Sequence, residues 1–273
     1  MNYVTAADNT QLYVKDWGSG RPVVLIHGWP LSADSWDDQA MAIASAGHRA
    51  IAYDRRGFGR SSQPWDGQDY DTLADDLAAV LDHTGADDAV LVGFSMGGGE
   101  VARYLARYGA AGIHKAVLVS SVLPFRLKTA DNPGGTDQAA FDKTALALNE
   151  DRAKFFTGFF EKFFGVAAGT APVSAEMLAW AHGIAMQGSL RATLEALKAF
   201  STTDFRSDMA AFTLPTLFIH GTDDATVPID ASSRPAAAMV PGSTLIEYDG
   251  APHGLFATHK ARLTRDLLEF IGA

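Results

Sequence analysis

The chain has 273 residues, 47% apolar and 20% charged, with a formal net charge of −10 and no cysteine. That length and balance suit one sizeable α/β domain, alone or with an inserted subdomain, and exclude a disordered chain. The acidic charge argues against nucleic acid and anionic membranes, which need a basic face, and the missing cysteines exclude disulfides, thiolate metal sites and a cysteine nucleophile.

The first residues show neither the basic nor the apolar region of a signal peptide, and no apolar run is long enough to span a bilayer. A cytoplasmic protein with no membrane partner is expected. Residues 12–17 alternate at period two and run into Gly18-Ser19-Gly20, the pattern of a half-exposed strand meeting a hairpin-like turn. Residues 22–26 are wholly apolar and suit a strand buried on both faces, ending at His27-Gly28-Trp29-Pro30. Helical spacing over 35–46, a strand over 50–53 and an amphipathic helix over 70–84 closed by Gly85 follow in turn.

Strand-like residues 89–92 then lead into Gly93-Phe94-Ser95-Met96-Gly97, and helical spacing resumes at Glu100. Strand, sharp turn and helix are what a G-x-S-x-G nucleophile elbow requires. After one more buried strand over 115–119 the rhythm breaks. Residues 122–212 hold a loop with Pro133, Gly134 and Gly135 and helical stretches over 138–164 and 174–200. The economical reading is a core of residues 1–121 and 213–273 with a helical cap, 122–212, inserted over the carboxyl edge of the sheet. Strands return at 215–219 and 244–248, and a last helix covers 261–271. Strands alternating with helices predict a mostly parallel sheet flanked by helices.

A serine hydroxyl needs a base within reach and an acid to orient that base. In parallel sheets such groups gather on loops after the carboxyl ends of strands. The strand ending at Ile219 leads into Asp223 and Asp224, and the strand ending at Tyr248 leads into His253. The order Ser, Asp, His is that of α/β-hydrolases. Ser95, His253 and one of the two aspartates, with Asp224 favoured, are the expected triad; the other histidines, His220 among them, read as inert. The oxyanion formed by attack of Ser95 needs preorganised donors. The Met96 amide, just after the nucleophile, and the Trp29 amide are the candidates.

Taken in register, His27-Gly28-Trp29-Pro30, Asp54-Arg55-Arg56-Gly57-Phe58-Gly59-Arg60-Ser61, Gly93-Phe94-Ser95-Met96-Gly97-Gly98-Gly99-Glu100, Gly221-Thr222-Asp223-Asp224 and Pro252-His253-Gly254 closely resemble one family. It is that of the bacterial cofactor-free (non-heme) haloperoxidases and the aryl esterases grouped with them, within the α/β-hydrolase fold. The resemblance implies Ser95 as nucleophile, Asp224 and His253 as its partners, and the Trp29 and Met96 amides as oxyanion donors. It further implies hydrolysis of small carboxylic esters through an acyl-enzyme, and perhydrolysis in which hydrogen peroxide replaces water and yields a peracid that oxidises halide. No cofactor and no metal is then needed, and homo-oligomers are common among such relatives. Pro30, where esterase-like members often carry leucine, is expected to favour perhydrolysis.

Phenylalanines at 155, 156, 159, 160, 163 and 164 cannot all face one side of a helix. Phe159 and Phe163, with Phe125, Val227 and Pro30, are expected to line a small acyl pocket. Lactone, γ-lactam or C–C bond hydrolysis would use the same triad, and a non-catalytic ligand-binding protein would keep the fold without turnover.

Overall fold

A computed structural model describes residues 2–167 and 169–272. In chain order it holds β1 (Tyr3–Thr5), β2 (Gln11–Gly18), β3 (Pro22–Ile26), α1 (Asp37–Ser45), β4 (Arg49–Tyr53), α2 (Tyr70–Thr84), β5 (Ala89–Phe94), α3 (Met96–Tyr108) and β6 (Ile113–Val119). After these come α4 (Gln138–Phe163), α5 (Ala175–Gln187), α6 (Leu190–Thr202), β7 (Thr216–Gly221), α7 (Ser233–Met239), β8 (Thr244–Tyr248), α8 (Leu255–Thr258) and α9 (Lys260–Gly272).

The strands form one sheet in the order β1-β2-β4-β3-β5-β6-β7-β8, parallel from β4 to β8 with β1 and β2 antiparallel at one edge. This is the mostly parallel α/β architecture expected. Every residue of β3 and β5 is buried, as all-apolar strands covered on both faces must be. The turn after β2 does not make a hairpin with β3. Instead β2 pairs with β4, and β4 and β5 flank β3 on either side. The alternating, half-exposed β2 suits the sheet periphery and the apolar β3 its interior. The first hairpin joins β2 to the three-residue β1, too short to register as a pattern.

Helix ends follow local chemistry. The Asp69 side chain accepts the Thr72 amide at 3.0 Å to start α2, and Gly85 closes it at φ +60°. The helical spacing over 174–200 is two helices, because Ser189 accepts the Ala192 amide at 2.9 Å and starts α6 afresh. Inside α4, Asp151 leaves helical geometry and its carboxylate takes the Lys154 amide at 2.9 Å, so the element kinks there. Helices α4 to α6 all lie in sequence between β6 and β7. Because β3 to β8 are parallel, the loops that leave β3, β5, β6, β7 and β8 emerge at one edge of the sheet, and β5 lies inside it between β3 and β6.

Candidate active site

Ser95 sits between the end of β5 and the start of α3 with φ 53° and ψ −115°, a backbone conformation that costs a non-glycine residue roughly 1–3 kcal/mol. The surroundings hold it there. Its amide donates to the Val119 carbonyl at 2.8 Å, and its own carbonyl accepts from Gly98 at 3.0 Å and Val122 at 3.3 Å. The turn is this tight only because its flanks lack side chains. A Cβ on Gly93 would lie 2.6 Å from the Gly97 carbonyl oxygen, and one on Gly97 2.6 Å from that of Ile26.

The loop after β7 delivers Asp224, and the loop after β8 delivers His253. Asp224 Oδ1 accepts the amides of Val227 at 2.7 Å and Thr226 at 2.9 Å, which fixes the carboxylate plane. Its Oδ2 meets His253 Nδ1 at 2.5 Å. The neighbouring Asp223 is exposed. His253 is buried, with its ring 5.0 Å from that of Phe94 and edge-on to Phe163 at 4.9 Å. A carboxylate can only accept, so Nδ1 carries the hydrogen and Nε2 is left to accept. Nε2 lies 3.0 Å from Ser95 Oγ. Burial acts to raise the Asp224 pKa, but the charge of His253 and the hydrogen bonds from His220 and His253 outweigh it and hold the carboxyl well below the usual range.

Two amides, those of Met96 and Trp29, are the candidate oxyanion donors. Met96 opens α3, and the first amides of a helix have no intrahelical acceptor. The Gly28 carbonyl takes the Leu31 amide at 3.0 Å and lies 2.9 Å from His27 Nδ1. Since peptides are trans, the Trp29 amide of that same unit points the opposite way, and it has no hydrogen-bond partner among the described residues. His27 Nε2 accepts the Arg55 amide at 2.9 Å, so Nδ1 is the protonated nitrogen, and burial with the Arg55 charge keeps the ring neutral. Beneath it, Arg55 donates to the His27 carbonyl at 2.6 Å and to Glu100 at 2.5 Å, while Tyr53 donates to Glu100 at 2.7 Å. A wholly buried ionic group thus ties the His27-Gly28-Trp29 loop to α3.

Ser95 and His253 open on a cavity of about 540 Å³. Trp29, Phe159 and Val227 line it; Pro30, Phe125 and Phe163 do not. Phe163 packs against His253, Phe94 and Phe256 instead, Phe125 lies under the Arg206 guanidinium at 5.1 Å, and Pro30 is buried. One turn apart on α4, Phe159 and Phe163 fall on either side of the boundary between cavity and core. Phe141, Phe155 and Phe200 complete the aromatic wall. Arg126 and His220 are further residues of the site that pattern reading passes over. Arg126 carries one signal, the first charge after β6, set in the apolar run 122–127. His220, inside β7, carried none beyond its type. Among the described residues no three His, Cys, Asp or Glu side chains gather so as to hold a metal ion.

Residues 21–260 match the family model described as the alpha/beta hydrolase fold. A non-heme haloperoxidase from Rhodococcus erythropolis is 44% identical over 99% of both chains. A bifunctional esterase/perhydrolase from Acinetobacter calcoaceticus is 42% identical, again over 99% of both. Among solved structures, a bromoperoxidase from Bacillus anthracis superposes with a TM-score of 0.95 at 43% identity over the whole of both chains. The chain therefore belongs to the α/β-hydrolase fold, in the family of the bacterial non-heme haloperoxidases and their esterase relatives.

Proposed function

We propose that the protein is a serine esterase of small carboxylic esters with perhydrolase activity, and that Ser95, His253 and Asp224 carry the chemistry. Ser95 Oγ attacks the ester carbonyl as His253 Nε2 takes its proton, and the oxyanion is met by the Trp29 and Met96 amides. Collapse expels the alcohol, which His253 protonates, and leaves an acyl group on Ser95. Water or hydrogen peroxide then adds to that acyl carbon while His253 takes the incoming proton. The products are the free serine and a carboxylic acid or a peracid, and the peracid passes one oxygen to bromide or chloride to give hypohalous acid and the carboxylate. Residues 122–212 act as a cap that closes the acyl pocket over the sheet edge.

The reading rests above all on the 3.0 Å approach of Ser95 to a histidine whose other nitrogen meets a buried carboxylate at 2.5 Å. The names of the relatives support both ester hydrolysis and perhydrolysis. No helix among the described residues is long and apolar enough to cross a membrane. We place the protein, which lacks cysteine, in the cytoplasm, with a small ester or carboxylic acid as substrate. The test compares wild type with Ser95→Ala on p-nitrophenyl acetate, then on acetate, peroxide and bromide. Both activities should vanish in the variant, and a variant as active as wild type overturns the reading. We also assign Pro30 to the balance between the two acceptors: Pro30→Leu should lower the ratio of perhydrolysis to hydrolysis, and an unchanged ratio removes that role.

A further inference from the structure

The chain carries a net charge of −10, yet the cavity that holds Ser95 is lined by two cations, Arg126 and Lys162, and by no aspartate or glutamate among the described residues. Lys162 is exposed, whereas Arg126 is only 5% exposed. Other buried arginines in this protein have carboxylate partners: Arg55 pairs with Glu100, and Arg56 with Asp76 and Asp8. Arg126 has none among the described residues. Its guanidinium makes one hydrogen bond, to the Thr226 carbonyl at 3.0 Å, and its Nε is buried with no partner.

A buried guanidinium keeps its charge, and its planar fork is built to hold a carboxylate through two parallel hydrogen bonds. Burial lowers the Arg126 pKa and the charge of Asp224 opposes that shift, but both Asp224 oxygens are already committed to the Thr226 and Val227 amides and the two histidines. The Arg126 backbone is itself fixed, since its carbonyl accepts the Thr136 amide at 2.8 Å. What remains is a preorganised cation on the wall of an otherwise mostly apolar cavity, in the same enclosure as the nucleophile.

We propose that Arg126 makes this cavity selective for esters that also carry a free carboxylate, such as monoesters of small dicarboxylic acids, with the guanidinium pairing with that carboxylate while Ser95 acts on the ester. This inference rests on the esterase reading given above. The aromatic wall accommodates the short hydrocarbon link between the two groups, and hydrolysis of the monomethyl ester consumes one water and releases methanol, the dicarboxylate and one proton. Lys162 adds positive potential as anionic substrates enter.

The experiment measures kcat/KM for two matched pairs. Monomethyl glutarate against methyl pentanoate places the carboxylate on the acyl side; 3-acetoxypropanoate against propyl acetate places it on the alcohol side. In Arg126→Gln the anionic-to-neutral ratio should fall by about 30-fold in at least one pair, the loss expected when a buried charge-assisted hydrogen bond is removed, and Arg126→Lys should recover part of it. If both members of each pair fall by the same factor, Arg126 merely supports the Thr226 loop and the proposal is overturned. An unchanged ratio overturns it as well. Should Arg126→Gln not fold, inhibition of wild-type methyl pentanoate hydrolysis decides: glutarate must compete more strongly than its uncharged diamide, and equal or absent inhibition overturns the proposal. Wild type inert on neutral and anionic esters alike would defeat the esterase reading itself, whereas hydrolysis of all four without dependence on Arg126 defeats only this inference.

Discussion

His220 Nε2 lies 3.1 Å from Asp224 Oδ2, the same oxygen that takes the His253 Nδ1 hydrogen at 2.5 Å. His220 Nε2 is also 2.8 Å from the Val227 carbonyl, and its Nδ1 is 2.7 Å from Ser233 Oγ. Only acceptors surround Nε2, so it holds the hydrogen, and the Ser233 hydroxyl donates to Nδ1. The acid of the proposed triad is therefore oriented from two sides. Replacing His220 by alanine should lower kcat by about tenfold, the worth of one hydrogen bond to a charged group, while KM for p-nitrophenyl acetate stays nearly constant. A change confined to KM would assign His220 to binding instead.

The depressed pKa of Asp224 sets the form of the pH response. Unfolded, this carboxyl binds its proton near about pH 3.9; folded, it does so only at lower pH. Between those values the unfolded chain binds more protons, so stability rises with pH there, is fully present above that window, and is lost as pH falls through the folded value. Asp224→Asn should flatten the acid-side slope of unfolding free energy below about pH 4. Since Asp224 stays ionised over the working range, the acid limb of log kcat/KM should have a slope of one; a slope of two would show Asp224 titrating with the base. The same variant should lose about 10⁴ in kcat, because an amide stabilises the wrong imidazole tautomer.

The proposed triad is legible because Ser95, Asp224 and His253 follow three separate strands, and a strand end is something that period and composition mark. Asp224 and Asp223 were separated by preference and family likeness; in the fold one is buried among four donors and the other exposed. His220 reads as inert because its contacts with Asp224 and Ser233 arise only when the loop after β7 folds back on the strand, which its place inside β7 does not announce. Phe163, expected in the pocket, lies in the core for a related reason. Helical spacing identifies neighbours on a face but not which part of that face abuts the core, and the kink at Asp151 turns the second half of α4 independently of the first. Helix α7, seven residues long with a proline inside it, gave too short a pattern to read.

Glu100 and Arg55 bind α3 to the loop that presents the Trp29 amide, and both are essentially inaccessible to solvent. Glu100→Gln keeps the shape and an acceptor for Tyr53 but leaves a buried guanidinium without its counter-charge. Breaking such a pair from one side costs about 3–5 kcal/mol. Urea unfolding should show a lower midpoint at an unchanged slope, and kcat should fall because Arg55 also holds the His27 carbonyl. Asp66→Asn, which removes an exposed partner of Arg191 at 3.8 Å, serves as control and should leave the midpoint unmoved.

Phe159 and Phe163 share α4 but should answer differently to truncation. Phe159 is partly buried, lines the cavity and meets Trp29 edge-on at 5.3 Å, so Phe159→Ala opens space in the cavity that Ser95 lines. Each methylene accommodated in an apolar pocket is worth roughly 10-fold or more in kcat/KM, so across p-nitrophenyl esters of increasing acyl length the preference for the next longer chain should rise by about that factor where the truncation makes room for one more methylene. Phe163 is fully buried and braces the His253 ring, so Phe163→Ala should cost about 3–5 kcal/mol of stability and lower kcat alike for short and long acyl chains. The two profiles, acyl-length selectivity and unfolding midpoint, separate the roles. If Phe163→Ala shifted chain-length preference while Phe159→Ala did not, the wall of the cavity would have to be redrawn through Phe163.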